Sequence, residues 1–318
     1  MKPQPKMAEH SAGESLSAFL DAMTAAGIVP HDRPALTSKL DAGAGLVRFR
    51  CHGERAANGW AVLHLDGKPA GRFGSWRLGI ASSWRAGRES KPSAAERAEF
   101  ARLWRAWDDK TRRGHEAAAA HCLAQWKAAR PASSAHRYLV AKSMRPDGLR
   151  EHGAALLIPM HDAAGRLWSL QSIFPDGGKR FARGGRCDGM MWRRGDPGAA
   201  IAIGEGAATM AAVHAATGLC SVAAFSSGNL AAVARAVRAR WPDACLILCA
   251  DDDAGRVPNI GLEVANVAAR AVGGLVARPP RPPGWPDGKG WDFADTMIAP
   301  GCAEAIRRAL KITNGGAR

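Results

Sequence analysis

AIAIGEGAATMAAVHAATGLCSVAAF (residues 200–225) and CLILCADDDAG (245–255) are apolar runs that meet glutamate, aspartate and glycine where they stop. Each begins as a strand-like block too short and too continuous for an amphipathic helix. From Ala199 onward such blocks alternate with alanine-rich helical segments. The spacing predicts strands at Ala200–Ile203, Cys220–Phe225, Cys245–Ala250 and Leu275–Ala277. Helices are expected at Ala207–Thr217, Leu230–Arg240 and Val257–Val272. Repeated strand–helix units specify a parallel sheet covered by helices on its faces.

In an open parallel sheet, ligands bind beyond the carboxyl ends of the strands. Glu205 stands there after the first strand, and Asp251, Asp252 and Asp253 stand there after the third. Asp251 and Asp253 are two residues apart and point the same way if the strand conformation continues. Asp292 and Asp295 follow as WDFAD (291–295), after the proline-rich loop 279–291. Carboxylates gathered like this repel one another unless a cation neutralises them, and hard oxygen donors favour Mg²⁺ or Mn²⁺. The competing expectation is that the aspartates cap the following helix. Gly206 and Gly255 leave room for backbone to approach a phosphate.

The rest of the 318-residue chain reads differently. SLSAFLDAMTAAGI (15–28) has the spacing of an amphipathic helix. Short strand-like runs follow at Leu46–Cys51, Trp60–Leu65 and Ala70–Phe73, with a turn signal at Asp66-Gly67. Pro92–Arg130 is expected to be helical, with Phe100, Leu103, Trp104 and Trp107 on one face, and His136–Lys142 is a second helix. Ala154–Pro159 and Leu167–Phe174 read as strands joined by a turn at Asp162–Gly165. The glycine- and arginine-rich stretch 175–198 reads as a loop or small hairpin.

The net charge of +15 points to a polyanionic partner, nucleic acid first. Residues 199–318 hold 12 Lys and Arg against 10 Asp and Glu, so most of the excess lies in 1–198. Lys179, Arg180 and Arg183 precede the acidic region and suit contact with a triphosphate or a strand phosphate. Of the 11 tryptophans, Trp76, Trp84, Trp285 and Trp291 lie near glycines or basic residues and are the candidates for base stacking.

Seven cysteines contain no CxxC pair, which argues against a zinc ribbon and against a disulfide framework. No signal peptide or membrane-spanning run is legible, so a cytoplasmic protein with no membrane partner is expected. There is no GxxxxGKS phosphate loop, which excludes an ATP-driven motor in this sequence. Tyr138, the only tyrosine, sits on a short helix and is expected to pack in the core.

The order Glu-Gly, then Asp-x-Asp after a later strand, resembles the Toprim domain of bacterial-type primases, topoisomerases and related nucleases. GEG (204–206) and Asp251/Asp253 match its acidic motifs. AFSSGNL (224–230), WDFAD, WSLQSIFPDGGKRFARGG (168–185) and NGWAVLHLDGKPAGRFGSW (58–76) resemble the versions in primase-like proteins of phages and plasmids. The resemblance covers most of 45–298. It departs from the family twice. Thr209 stands where some primases carry an aspartate four residues after the glutamate, and the block 45–76 offers only Cys51 and His52 where a zinc ribbon often stands.

The resemblance implies an α/β fold in which a Toprim domain (199–318) follows three segments. These are an N-terminal helix with a zinc-free, ribbon-like β-rich block (1–90), a helical connector (91–142) and a primase-like α+β segment with a basic loop (143–198). It implies Glu205, Asp251 and Asp253 as catalytic residues. The same three residues, with Asp292 and Asp295, would ligate Mg²⁺ or Mn²⁺, and no zinc is expected. Lys179, Arg180, Arg183 and Asn229 would contact nucleotide or nucleic acid. The implied activity is primer synthesis on single-stranded DNA from ribonucleoside triphosphates, with a separate helicase as partner. A Toprim nuclease or a non-catalytic nucleic-acid-binding accessory fits the same motifs.

Overall fold

The computed structural model describes residues 12–54, 57–66, 68–78, 80–86, 94–253, 259–282, 284–286, 290–298 and 302–310. Gly67, Gly255 and the side chains of Phe100, Leu103, Trp104 and Trp107 lie outside the described residues. The chain packs as two units, residues 1–101 and 102–318.

Among its described residues the first unit carries helices α1 (Ala12–Ala25) and α2 (Arg33–Asp41) and an antiparallel meander, and it ends within a further long helix. Its strands are β1 (Val47–Phe49), β2 (Gly59–His64), β3 (Ala70–Ser75) and β4 (Ile80–Arg85), paired in chain order. The sequence reading gives no helix at α2, which carries Pro34 in its first turn. Proline in the first turn lacks only an N–H that the helix would leave unpaired. Asp32 caps that turn by accepting the Ala35 N–H at 2.9 Å. Phe19 is fully buried and meets Phe73 and Trp84 edge-on at 5.5 and 5.4 Å between centroids. Trp84 is therefore packed against the core, whereas Trp76 is 40% exposed with the Arg48 guanidinium 4.6 Å from its ring.

The second unit contains two sheets. A long helix, α3 (Ala94–Ala128), leads into β5 (Arg130–Pro131), α4 (Arg137–Ala141), β6 (Arg150–His152), β7 (Ala155–His161), β8 (Leu167–Ile173) and β9 (Lys179–Phe181). These five strands pair antiparallel in chain order, so the basic stretch forms an edge strand, β9. The β7–β8 turn is tied by Asp162, whose side chain accepts N–H groups from Ala164, Arg166 and the Trp168 indole.

The other sheet holds β10 (Trp192–Arg194), β11 (Ala200–Gly204), β12 (Cys220–Ala223), β13 (Cys245–Cys249) and β14 (Leu275–Ala277), in the order β10-β12-β11-β13-β14. The last four run parallel, and β10 joins β12 antiparallel. Helices α5 (Ala207–Thr217), α6 (Ser227–Arg240) and α7 (Ile260–Val272) connect them, and α8 (Phe293–Met297) and α9 (Cys302–Ala309) follow. Alternate residues of the strands feed two cores. Ala202, Ala223, Ile247 and Cys249 face α5, α8 and α9. Ile201, Ile203, Val222, Leu246 and Leu248 face α6 and α7. Covering both faces explains why the strands read as continuous apolar runs.

After β12 the chain crosses β11 to pair β13 on its other side. Beyond the carboxyl ends of β11 and β13 the connecting loops diverge and leave room for a site. Gly261 in α7 permits the close approach there, because a Cβ at this position would lie 2.3 Å from the Asp251 carbonyl oxygen. Alanine is the better helix former by about 1 kcal/mol. Relief of that clash requires backbone movement that costs about 1–3 kcal/mol. Gly261→Ala is therefore expected to lower the thermal midpoint and to loosen the Asp251–Asp253 segment, read by hydrogen exchange of its amides.

Candidate metal and nucleotide site

Glu205 follows β11, with its carbonyl accepting the Phe225 N–H at 2.8 Å. Its carboxylate receives the Ser227 backbone N–H at the start of α6. Burial raises its pKa, the Ser227 bond and the nearby Lys179 ammonium pull it down, and Asp253 adds to the rise. Asp251 and Asp253 sit just past β13. Burial raises the Asp251 pKa from 3.8 to about 8, with further contributions from Glu205, Asp292, Asp253 and Asp295. Its Oδ1 is buried and has no hydrogen-bond partner.

Asp252 turns away, is 7% exposed, and accepts the Asn259 amide at 2.7 Å, with the Arg278 guanidinium at 3.8 Å. Its backbone forms a two-bond antiparallel bridge with Trp291, each N–H to O at 2.9 Å. That bridge pins the segment carrying Asp292 and Asp295 beside Asp251. It also accounts for Trp291, a buried residue whose indole N–H reaches Thr296 Oγ1 at 2.9 Å and whose ring Trp285 meets at 4.3 Å.

Asn259 caps α7, and Asp253 Oδ2 also accepts a first-turn N–H of that helix, from Gly261 at 3.3 Å. Asp292 caps α8 in a reciprocal box with Asp295. Asp292 Oδ2 also accepts the Thr209 hydroxyl at 3.3 Å, and Asp295 lies 3.6 Å from the Lys142 ammonium. Thr209 is thus a hydroxyl donor to Asp292 rather than a further negative charge.

Glu205, Asp253, Asp292 and Asp295 thus lie within electrostatic reach of Asp251. Among the described residues, no three His, Cys, Asp or Glu side chains form a ready-made coordination cage. Like charges without a counter-ion keep apart. The donor set is all oxygen, the kind that suits Mg²⁺ or Mn²⁺, and the orphaned Asp251 Oδ1 faces no protein donor. The residues present fit such an ion.

The basic residues separate. Lys179 lies close enough to Glu205 to lower its pKa, with its ammonium 5.8 Å from the Tyr138 ring. The adjacent Phe181 meets Phe225 edge-on at 6.3 Å. Arg180 instead stands over the Phe174 ring at 5.3 Å and borders a different cavity. Arg183 is exposed in the turn after β9. Asn229 corrects the sequence reading. It is 7% exposed, its amide protons bond the carbonyls of Met190 (3.0 Å) and Ala224 (2.8 Å), and its oxygen accepts the Gly189 N–H at 2.8 Å. No amide proton remains for a nucleotide, so Asn229 fastens the loop before β10 to α6. Lys142 and the Ser227 N–H were missed, because nothing local in the sequence marks either as a neighbour of the carboxylates.

Asn229→Ala would take the side-chain partner from two buried carbonyls and one part-buried N–H and should cost about 2–3 kcal/mol of stability in a denaturant melt. For Asp251, a folded-state pKa above the unfolded one means a contribution fully present below about pH 4 and lost as pH rises toward 8. In chelator, Asp251→Asn should therefore match the parent near pH 4. It should become the more stable protein by pH 8, by on the order of 1–3 kcal/mol, as read in thermal melts across that range.

Known proteins carry related sequences. The Toprim domain family model matches residues 200–303. The chain is 38% identical over 247 residues to a DNA primase TraC of Escherichia coli, covering 71% of this chain and 23% of that protein. It is 36% identical over 242 residues to a second DNA primase TraC of Escherichia coli, covering 70% of this chain and 16% of that one. The matched stretch is thus under a quarter of either relative's length. Among solved structures, the primase fragment of the bacteriophage T7 primase-helicase protein is similar with a TM-score of 0.41 and 16% identity, over 54% of this chain and 73% of that one.

Proposed function

For this chain, a Toprim-domain protein related in sequence to the TraC primases, we propose template-directed synthesis of short RNA primers on single-stranded DNA. The observation that carries this reading is the meeting of Glu205 with Asp251, Asp253, Asp292 and Asp295 beyond β11 and β13, with Lys179 near Glu205. When bound there, Mg²⁺ or Mn²⁺ would supply Lewis-acid help to a 3′-hydroxyl attacking a nucleoside triphosphate and to the leaving pyrophosphate.

The chain's own groups have separable parts. Asp251 and Asp253 hold oxygen donors at the end of β13. Glu205, held by the Ser227 N–H, is either a further ligand or a general base at the same place. Lys179 offers a cation to phosphate from the β9 side, where it balances the carboxylates. Thr209, Lys142 and the Asp252–Trp291 bridge position Asp292 and Asp295. The positive excess of residues 1–198 suits the phosphates of a template strand. Unwinding of duplex DNA would come from a separate helicase. No described helix is long and apolar enough to cross a membrane.

Purified protein given single-stranded DNA, labelled ribonucleotides and Mg²⁺ or Mn²⁺ should yield oligoribonucleotides. Asp251→Ala should reduce the yield about a hundredfold or more while leaving DNA affinity within about twofold, since strand phosphates are held by cations. Shortened template in place of new oligonucleotides would assign nuclease chemistry, and binding with neither would assign an accessory role. Full activity of the variant would remove the site.

A further inference from the structure

The first unit carries a small cavity that the proposed chemistry does not use. Three short segments border it, and each is tied down by a backbone N–H. Val29 lies on the stretch after α1. That stretch is held to the segment after β1 by the His31 N–H on the Arg50 carbonyl and the His52 N–H on the Val29 carbonyl, each at 2.8 Å. Cys51, His52 and Glu54 lie on the turn that follows, closed by the Glu54 N–H on the Cys51 carbonyl at 3.1 Å. Arg77 and Leu78 lie on the turn after β3, where Ser75 Oγ accepts the Leu78 N–H at 3.3 Å. The cavity between them measures about 280 Å³, just under the volume of pockets for drug-sized ligands and suited to a single ring system.

Glu54 is the group that calls for a ligand. Its side chain is 7% exposed, and Oε1 accepts the Arg77 guanidinium at 3.2 Å. Oε2 is buried and accepts no hydrogen bond. A buried carboxylate oxygen without a donor is costly, so the folded unit holds an acceptor ready for a donor from outside. The ion pair with Arg77 already balances the charge, and a neutral N–H therefore suits that oxygen better than a further cation. Burial first and Glu54 second push the Cys51 thiol up, so it stays protonated and adds no charge. Val29 and Leu78 are exposed and give the cavity aliphatic edges. Trp76, the residue before Arg77, is also exposed and carries the Arg48 guanidinium over its ring. An aromatic face with a cation is the chemistry that holds unpaired bases.

We propose that this cavity takes one unpaired nucleobase bearing an exocyclic amino group, with Glu54 Oε2 accepting an amino N–H. Cytosine, adenine and guanine offer that donor, and thymine lacks it. Val29 and Leu78 shield the ring from water, which strengthens the hydrogen bond at Glu54. The base belongs to a single strand or to a free nucleotide. This site does not depend on the carboxylates of the second unit being catalytic.

The test uses the full chain in chelator and two pairs of probes. Fluorescein-labelled oligodeoxycytidylate and oligothymidylate of equal length are read by anisotropy, and cytidine and thymidine monophosphates by calorimetry. The cytosine probe should bind about three- to tenfold more tightly than its thymine counterpart, the worth of one hydrogen bond. Preference in the oligonucleotides alone identifies a strand as the source, and preference in the monophosphates identifies the free nucleotide. Glu54→Gln, checked for native circular dichroism, turns an amide N–H toward the ligand while its oxygen keeps Arg77, and should bring the ratio to about one. Leu78→Trp fills the cavity from an exposed position and leaves Glu54 untouched. It should have the same effect, and it serves if the first variant does not fold. Asp251→Asn should keep the parental ratio, which separates this site from the proposed catalysis. Equal affinity for the two bases in the parent, or an undiminished preference in folded Glu54→Gln or Leu78→Trp protein, overturns the proposal.

Discussion

A carboxylate oxygen with no hydrogen-bond partner, Asp251 Oδ1, lies buried at the end of β13, within electrostatic reach of Glu205, Asp253, Asp292 and Asp295. Burying charge without compensation is costly, and the surrounding structure is organised to hold that arrangement. β11 and β13 are adjacent, parallel and covered on both faces, so their carboxyl ends are fixed relative to each other. Gly261 lets α7 close against the Asp251 backbone, and Gly204 accepts the Met210 sulfur where a Cβ would sit 2.5 Å away. Pairing and packing on both faces thus fix the strand ends from which Glu205 and Asp251 project.

A second layer of control comes from polar groups that do not belong to the cluster. Asp252 faces the opposite way from its neighbours and uses both its side chain and its backbone to hold Asn259 and Trp291. Asp251, its neighbour in sequence, keeps a buried Oδ1 without a hydrogen-bond partner. Asp292 and Asp295 serve first as each other's caps, so their oxygens are already oriented before any ligand arrives. Lys179 and Lys142 come from the antiparallel sheet and from the end of α4 respectively, and supply the positive charge that a bare acidic cluster lacks. The site is therefore shared by both sheets of the second unit.

The sequence by itself determined the parallel sheet, its helices and the carboxylates at its edge. It could do so because those features rest on short-range rules: apolar runs, period, and acidic residues at strand ends. The alternation that separates Asp252 from Asp251 and Asp253 is likewise a property of two-residue spacing. What only the tertiary structure decided depends on partners far apart in sequence. Asn229 looked like a polar residue free for a ligand, yet Gly189 and Met190, some forty residues away, consume its amide. Lys179 and Arg180 looked equivalent, yet opposite faces of one edge strand send them to different places. The role of Asp252 depends on Trp291, and no local pattern announces a bridge across that distance. Propensity and period act within a few residues, whereas hydrogen-bond saturation and the sign of a neighbouring charge are fixed only when the chain closes on itself.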